Sequence, residues 1–324
     1  METENQSEVC FSQLNISCRN PTTHWSEGVL LTVLLSIICI FTVVLNLLVI
    51  ISISHFRQLH TPTNLLLLSL AVSDCLVGLL VIPGEILRHT SCWTLGDVQC
   101  LWYNYLAYFV TSVSVGNMVL ISADRYVAIC DPLHYNTKVT VRRVQLCVCL
   151  CWFFALLYCS IILKDQLMQL GKNKSCYRRC AVVIDYYAGV VDVVVTFILP
   201  LSIIITLYMR VFVVAVSQAR AMRSHVTSVT LQHSVTVRAK KSELKAARTL
   251  GVLVLVFLMC FCPFYIGTLT GVASYLRFVI IVFYFNSCLN PLIYALFYPW
   301  FRRAVRHIVT LHILQPGSWG DSIL

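Results

Sequence analysis

Seven apolar segments, each roughly 20 to 30 residues long, occupy most of this 324-residue chain. An α-helix needs about 20 apolar residues to cross the hydrocarbon core of a bilayer. The segments lie approximately at residues 29–54, 64–86, 101–130, 144–163, 187–216, 244–269 and 275–298. The sequence therefore predicts an all-α membrane protein whose main domain is a seven-transmembrane helix bundle.

The composition excludes an ordinary soluble domain. Hydrophobic residues make up 58% of the chain and charged residues only 12%, whereas soluble domains carry about 25% charged residues. The polar residues 1–6 lack the basic start and the short apolar core of a cleavable signal peptide. We therefore expect the first apolar segment both to target the chain and to span the membrane.

The basic residues of the connections predict the orientation of the bundle. The N-terminus and the second, fourth and sixth connections carry 7 Lys and Arg, whereas the other connections and the C-terminus carry 12. Cytoplasmic connections usually carry the excess, so we expect the N-terminus to lie outside the cell. Because the net charge of +10 follows mostly from this asymmetry, it gives no support to nucleic-acid binding.

Glycosylation sequons agree with this orientation. Asn5, Asn15 and Asn173 each begin an Asn-X-Ser tripeptide, and all three fall in segments predicted to be extracellular. A single sequon is weak evidence, since such tripeptides arise by chance. The prediction of a glycosylated N-terminus therefore depends on the finding that all three sequons lie on the same predicted side of the membrane.

Charged side chains inside the apolar segments are costly and are therefore candidates for function. Asp74, Asp192 and the adjacent Asp124 and Arg125 are the main examples. Asp74 lies in the middle of its segment, where several other polar side chains could converge on it to hold water or a sodium ion, or could form a purely structural hydrogen-bond network. These side chains are Ser114, Asn286, Ser287 and Asn290.

Motifs in all seven segments resemble those of rhodopsin-class G protein-coupled receptors. They comprise Asn46, Leu70 to Asp74, Asp124-Arg125-Tyr126, Trp152, Pro200, Tyr208, Phe257, Cys260 to Pro263, and Asn290 to Tyr294. Within that class, residues 286–294 and 298–301 resemble the seventh-helix fingerprint of the trace amine-associated receptor family. The resemblance covers the whole chain.

The resemblance implies two disulfides on the extracellular side. Cys100 and Cys180 would tie the second outer loop to the third helix. Cys18 would link the N-terminus to the same loop through Cys176, with Cys10 as an alternative partner.

The resemblance also implies a conformational latch at the cytoplasmic end. Arg125 would be held at rest by Asp124 and Glu243, and its release would admit a heterotrimeric G protein. Sodium at Asp74, Ser114 and Asn290 would favour the resting form. The other residues with an implied activation role are Tyr126, Tyr208, Phe257, Pro263, Pro291 and Tyr294.

The chain departs from the usual amine-receptor pattern. Ala107 occupies the position at which many amine receptors carry an aspartate that pairs with the ligand ammonium, and Asp192 instead lies eight residues before Pro200. This pattern is similar to that of fish trace amine-associated receptors with a fifth-helix acid, which implies an amine bound in the reversed orientation. We therefore predict that Asp192 is the ammonium counter-ion, against the alternative that it only bonds a neighbouring helix.

Further residues are predicted to surround the ligand. Aromatic side chains attract cations, and the candidate walls are Tyr108, Phe264, Tyr265 and Tyr284, with Thr196 and Thr268 nearby. Phe261 replaces the tryptophan that is common in the sixth-helix motif. Glu85 could accept a second ammonium of a diamine or could pair with Arg88, three residues on.

Other functional classes fit less well. A transporter should show two related halves, and no internal repeat is visible. A retinal photoreceptor would need a lysine in the seventh segment, where Tyr284 lies instead. We find no spacing typical of a catalytic or metal constellation, so we predict that the protein is not an enzyme and needs no cofactor apart from a possible sodium ion. A rhodopsin-class receptor for a non-amine ligand is the main alternative.

Three regions follow from these observations. Residues 1–28 form the extracellular N-terminus, residues 29–298 the seven-transmembrane receptor domain, and residues 299–324 an amphipathic helix with a cytoplasmic tail. The helix is predicted over residues 299–313, with basic side chains toward anionic lipid headgroups and no cysteine for a palmitoyl anchor. The resemblance implies a multi-pass plasma-membrane receptor for small amines that couples to a stimulatory or olfactory G protein.

Overall fold

The computed structural model describes residues 25–90, 93, 95–168, 180, 184–225, 251–252, 254–267, 269, 273–315, 317–320 and 323. These residues form α-helices and short helical turns, and they contain no strand. We label the main helices in chain order. They are α1 (Trp25–His55), α2 (Pro62–Leu76, Val77–Val81 and Ile82–Thr90), α3 (Asp97–Cys130), α4 (Val141–Ile162), α5 (Tyr186–Val193, Val194–Ile198 and Leu199–His225), α6 (Val254–Gly267), α7 (Ala273–Phe297) and α8 (Pro299–Val309).

The helices follow the order of the predicted segments. Among the described residues, α1 to α5 are each long and apolar enough to cross a membrane, and the described part of α6 is a shorter apolar helix. Large apolar side chains such as Ile40 and Phe154 point outward, as expected for a surface that faces lipid. The all-α architecture predicted from the sequence is confirmed.

Several helix ends lie beyond the apolar segments. The first helix begins at Trp25 and the third at Asp97, because polar residues continue the helix outside the hydrocarbon region. Side-chain caps explain three other starts. The hydroxyls of Thr61 and Thr140 accept backbone N–H groups at the starts of α2 and α4, and the carboxylate of Asp185 accepts the N–H of Ala188 at the start of α5.

Two helices contain a π-helical turn beside a proline. Val77–Val81 precedes Pro83 in α2, and Val194–Ile198 precedes Pro200 in α5. Proline removes a backbone donor and clashes with the carbonyl four residues earlier, so an extra residue in the preceding turn accommodates it. In α5 this turn is adjacent to Asp192 and carries Thr196, which fixes the backbone around the predicted counter-ion.

Polar side chains connect the helices within the bundle. The indole N–H of Trp152 on α4 donates to the Ser69 hydroxyl on α2 at 3.0 Å, and Ser69 donates to Asn117 on α3 at 2.9 Å. The amide of Asn46 on α1 donates to the Ser287 carbonyl on α7 at 3.0 Å. Hydrogen bonds of this kind fix the positions of the helices relative to one another. Apolar contact alone would not do so, because lipid is as apolar as the helix surface.

The chain turns by 98° between α7 and α8. Trp300 and Phe301 are buried under the bundle, and the arginines that follow lie on the other side of α8. The helix ends at Val309, four residues earlier than predicted. The described tail then folds back onto the connection between α1 and α2, where the guanidinium of Arg57 lies 4.2 Å from the ring centre of Trp319. Ile323 is fully buried.

Candidate functional site

A cavity of about 380 Å³ opens between the helices at the end of the bundle that carries the Cys100–Cys180 disulfide. This volume is typical of small-molecule sites, which measure about 300 to 1,000 Å³. Five helices line the cavity. Its lining residues are Glu85, Arg88, Tyr103, Asn104, Ala107, Tyr108, Thr111, Ser112, Asp192, Thr196, Phe264, Tyr265, Ile280, Phe283 and Tyr284.

The cavity brings together most of the residues predicted to surround a ligand. Those that line it are Ala107, Tyr108, Asp192, Thr196, Phe264, Tyr265 and Tyr284. Phe261 instead lines a smaller cavity nearby. Thr268 lies outside the described residues.

Asp192 is held in place by a tyrosine that the sequence did not reveal. The hydroxyl of Tyr158 on α4 donates to Oδ1 of Asp192 on α5 at 2.5 Å. The Thr196 hydroxyl lies 2.6 Å from the Asp192 carbonyl and 2.8 Å from the Tyr265 hydroxyl. These contacts fix both the side chain and the backbone of Asp192, so its carboxylate has a defined position at the cavity wall.

Aromatic rings from α5, α6 and α7 form a continuous wall beside the carboxylate. Phe197 stacks on Tyr265 with ring centres 4.4 Å apart, and Phe264 packs on Phe283 at 4.6 Å. Phe283 in turn meets Tyr284 edge-on at 5.3 Å. Aromatic faces attract cations, which makes this wall suited to an ammonium bound at Asp192.

A second charged group lines the same cavity on α2 and α3. The Arg88 guanidinium forms an ion pair with Oε1 of Glu85 at 2.5 Å, and the Tyr103 hydroxyl donates to Oε2 of Glu85. The sequence left open whether Glu85 pairs with Arg88 or faces a ligand, and the structure shows the pair. Tyr103 was not foreseen, since no spacing in the sequence relates it to Glu85.

A polar cluster lies deeper, around Asp74. Asn290 donates to Oδ2 of Asp74 at 2.8 Å, and the Ser114 hydroxyl lies 3.4 Å from Oδ1. Asn286 is also buried, and its side-chain oxygen accepts no hydrogen bond from the residues that the structure describes. It lines a cavity of about 10 Å³ with Ser114 and Ser287, which is space for about one water molecule or ion.

Aromatic residues lie between the larger cavity and the half of the bundle that contains Asp124 and Arg125. Phe261 stacks on Phe257 with ring centres 4.3 Å apart and also packs against Phe283 at 4.7 Å. All three rings are buried. A ligand that displaces Phe283 would therefore press directly on the sixth helix.

The latch around Arg125 contains two residues beyond those predicted. Arg125 contacts both Asp124 and the Thr63 hydroxyl, and its Nε donates to Oδ2 of Asp124 at 2.9 Å. The Tyr135 hydroxyl donates to Oδ1 of Asp124 at 2.8 Å. The sequence did not indicate Thr63 and Tyr135, because Thr63 lies on α2 and Tyr135 lies in the connection after α3. Glu243 lies outside the described residues.

The remaining predicted activation residues are distributed over α3, α5, α6 and α7. Tyr294 on α7 is fully buried, and Tyr126 packs against the cluster of Ile129 on α3 and Val211 on α5. A Cβ atom at Gly251 would collide with the Tyr208 hydroxyl, so this glycine allows α5 and the chain leading into α6 to approach closely. Two of the predicted activation residues are prolines inside helices, Pro263 in α6 and Pro291 in α7.

An ion-pair group orders the connection that follows α3. The side chains of Lys138 and His134 lie 2.7 and 2.8 Å from the carboxylate of Asp131. Hydrogen bonds from Lys138 and then His134 lower the pKa of this carboxyl to about 2. Asp131 is therefore ionised throughout the physiological pH range.

The predicted disulfide between Cys100 and Cys180 is present, with Cα atoms 5.5 Å apart. Cys180 is buried, and the Asn104 amide lies 3.5 and 3.7 Å from the two sulfurs. The second predicted disulfide, Cys18 with Cys176, lies outside the described residues, as does Cys10. The same holds for the three sequons at Asn5, Asn15 and Asn173.

The sequence is similar to a well-populated receptor family. Residues 45–294 match the family described as 7 transmembrane receptor (rhodopsin family). Trace amine-associated receptor 13c of Danio rerio is 37% identical over 332 residues, covering 96% of this chain and 95% of that protein. Trace amine-associated receptor 1 is 36% identical over 328 residues in Mus musculus, covering 96% of this chain and 97% of that protein. Trace amine-associated receptor 1 of Homo sapiens is 35% identical over 328 residues, covering 95% of this chain and 96% of that protein.

Proposed function

The chain belongs to the trace amine-associated receptor family of rhodopsin-type G protein-coupled receptors, and on that premise we propose that it senses small amines through Asp192. Members of this class are multi-pass plasma-membrane receptors rather than enzymes, and they act through a ligand and a G protein. The amine ligand, the counter-ion and the signalling route below are our proposals.

The placement of Asp192 carries this proposal. The carboxylate lines a cavity of about 380 Å³ and is held by Tyr158 at 2.5 Å. A carboxylate within an apolar bundle is costly, and an arriving ammonium would neutralise it. Since Ala107 offers no charge on α3, the ammonium would lie against α5, with the rest of the ligand extending toward α2 and α7.

We extend the proposal to signalling and topology by analogy with the family. The receptor would present its glycosylated N-terminus outside the cell and would couple to a stimulatory or olfactory G protein that raises cyclic AMP. The basic residues of the cytoplasmic connections support this orientation. Release of Arg125 from Asp124 and Thr63 would accompany G protein binding.

The proposed function can be tested with pairs of amines and alcohols that share a carbon skeleton. We expect at least one monoamine to raise cyclic AMP in cells that express the receptor, at a concentration about 100-fold below that of its alcohol. The reason is that only the amine brings a positive charge to Asp192. Cells with an empty vector and surface labelling of the receptor provide the controls. Equal responses to the amine and its alcohol, or none to any amine at normal surface expression, would refute the proposal.

We also propose that a sodium ion binds beside Asp74 and favours the resting state. The buried side-chain oxygens of Asn286 and Asn290 accept no hydrogen bond from the residues that the structure describes, and together with the small adjoining cavity they support this proposal. Carboxylate, hydroxyl and amide oxygens are the ligands that such a hard cation would use.

Sodium should then oppose the amine response, and Asp74→Asn should remove that effect. Replacing external sodium with N-methylglucamine should increase amine potency in the wild type by about fivefold or more, as expected for two coupled sites. In Asp74→Asn the potency should be independent of sodium, because the neutral amide holds the ion poorly. Concentration–response curves in the two salts provide the measurement. A sodium effect of equal size in the variant would exclude this site.

A further inference from the structure

The ion pair of Glu85 and Arg88 lines the cavity from α2, whereas Asp192 lines it from α5. Oε1 of Glu85 contacts Arg88 at 2.5 Å, and Oε2 accepts the hydroxyl of Tyr103. Both carboxylate oxygens therefore already have donors within the protein. A ligand ammonium at Glu85 would therefore have to compete with the Arg88 guanidinium and the Tyr103 hydroxyl for the same carboxylate.

The two members of the pair differ in exposure. The Arg88 side chain is 27% exposed, whereas the Glu85 side chain is 2% exposed. Glu85 is therefore the more deeply buried member, although both residues line the cavity. A second ammonium at this end of the cavity would lie beside the positive charge of Arg88.

The net charge of the residues that line the cavity also disfavours a second ammonium. Among the described lining residues, Asp192 and Glu85 are acidic and Arg88 is basic, which leaves one net negative charge. A ligand with one ammonium cancels it. A diamine would leave one uncompensated positive charge and a zwitterion one negative charge, and an unpaired charge is expensive in a membrane interior.

We propose that the Glu85–Arg88 pair is a specificity filter that closes the cavity to a second cation and restricts the receptor to amines with a single ammonium. The filter rests on the proposed function, because it presumes that the ammonium binds Asp192. It assigns a role to Arg88 that is distinct from ligand binding, since Arg88 acts by masking Glu85. The far end of the preferred ligand is uncharged.

The experiment uses ligand series of equal chain length. Straight-chain alkylamines, amino alcohols and terminal diamines of four to eight carbons are compared by cyclic AMP response at matched surface expression. In the wild type we expect the alkylamine or amino alcohol to be at least tenfold more potent than the diamine of the same length. A diamine as potent as its matched alkylamine would overturn the proposal without any variant.

Variants at the pair test the cause of the selectivity. Arg88→Met removes the cation and exposes the Glu85 carboxylate, so the potency ratio should shift toward diamines by tenfold or more. The double variant Glu85→Gln with Arg88→Met removes both charges and should restore the preference for monoamines. If Arg88→Met is normally expressed at the surface and its ratio of diamine to monoamine potency equals that of the wild type, Arg88 does not mask Glu85.

The outcomes separate this proposal from the one on which it rests. If monoamines act and the response requires Asp192, but Arg88→Met leaves the ratio unchanged, only the filter is wrong. If monoamines act equally well without a carboxylate at Asp192, both proposals fail. If Arg88→Met does not reach the cell surface, Arg88→Gln replaces it. The ratio of monoamine to diamine potency in Arg88→Gln and in the wild type then tests whether the ion pair excludes diamines.

Discussion

Replacing Asp192 with asparagine is expected to abolish the amine response while leaving the receptor at the cell surface. Asparagine has nearly the same volume and can still accept the Tyr158 hydroxyl, which lies 2.5 Å from the carboxylate in the wild type. The substitution therefore removes the charge and little else. Loss of one partner of a buried ion pair costs about 2 to 5 kcal/mol, so amine potency should fall about 100-fold or more.

The chain offers a matched control for this substitution. Asp185 lies seven residues earlier, caps α5 through the N–H of Ala188 and does not line the cavity. Asparagine is as good a helix cap as aspartate, so Asp185→Asn should respond like the wild type. Concentration–response curves for cyclic AMP at matched surface labelling give the comparison. If Asp192→Asn remains within threefold of the wild type, the ammonium binds elsewhere and Glu85 is the next candidate.

Replacing Cys180 with serine is expected to remove most of the receptor from the cell surface. The disulfide joins residues 80 positions apart, and in the chain-entropy model a loop of that size is worth about 4 to 5 kcal/mol. Cys180 is 3% exposed, so the new hydroxyl would also be buried beside Asn104. Both effects destabilise the wall next to the ligand cavity.

Surface labelling in intact cells measures this loss, and we expect a decrease of about tenfold. Cys100→Ser should have the same effect, and the double variant should be no worse than either single variant, since all three remove one bond. Cys147→Ser serves as the control because Cys147 is an exposed free cysteine on α4. Surface levels and amine potency near those of the wild type in Cys180→Ser would show that the bond is dispensable.

Properties that depend on local composition could be predicted from the sequence. The length of the apolar segments specified a helical bundle, and the motifs around Asp124 and Asn290 specified the receptor family, since both signals lie in continuous stretches of chain. Cys100 and Cys180 were paired correctly from the family resemblance. Asp192 stood out because a carboxylate in an apolar segment is rare whatever surrounds it.

The contacts that define the site depended on the fold, because they join residues that are far apart in the chain. Tyr158 and Asp192 meet only when α4 and α5 pack together, and nothing in either segment indicates the other. The same is true of Tyr103 with Glu85. From the sequence alone, Glu85 could bind a ligand or pair with Arg88, and the spacing of three residues favoured the pair. The burial of its carboxylate between α2 and α3 settled that choice, since a buried charge must find its partners within the protein.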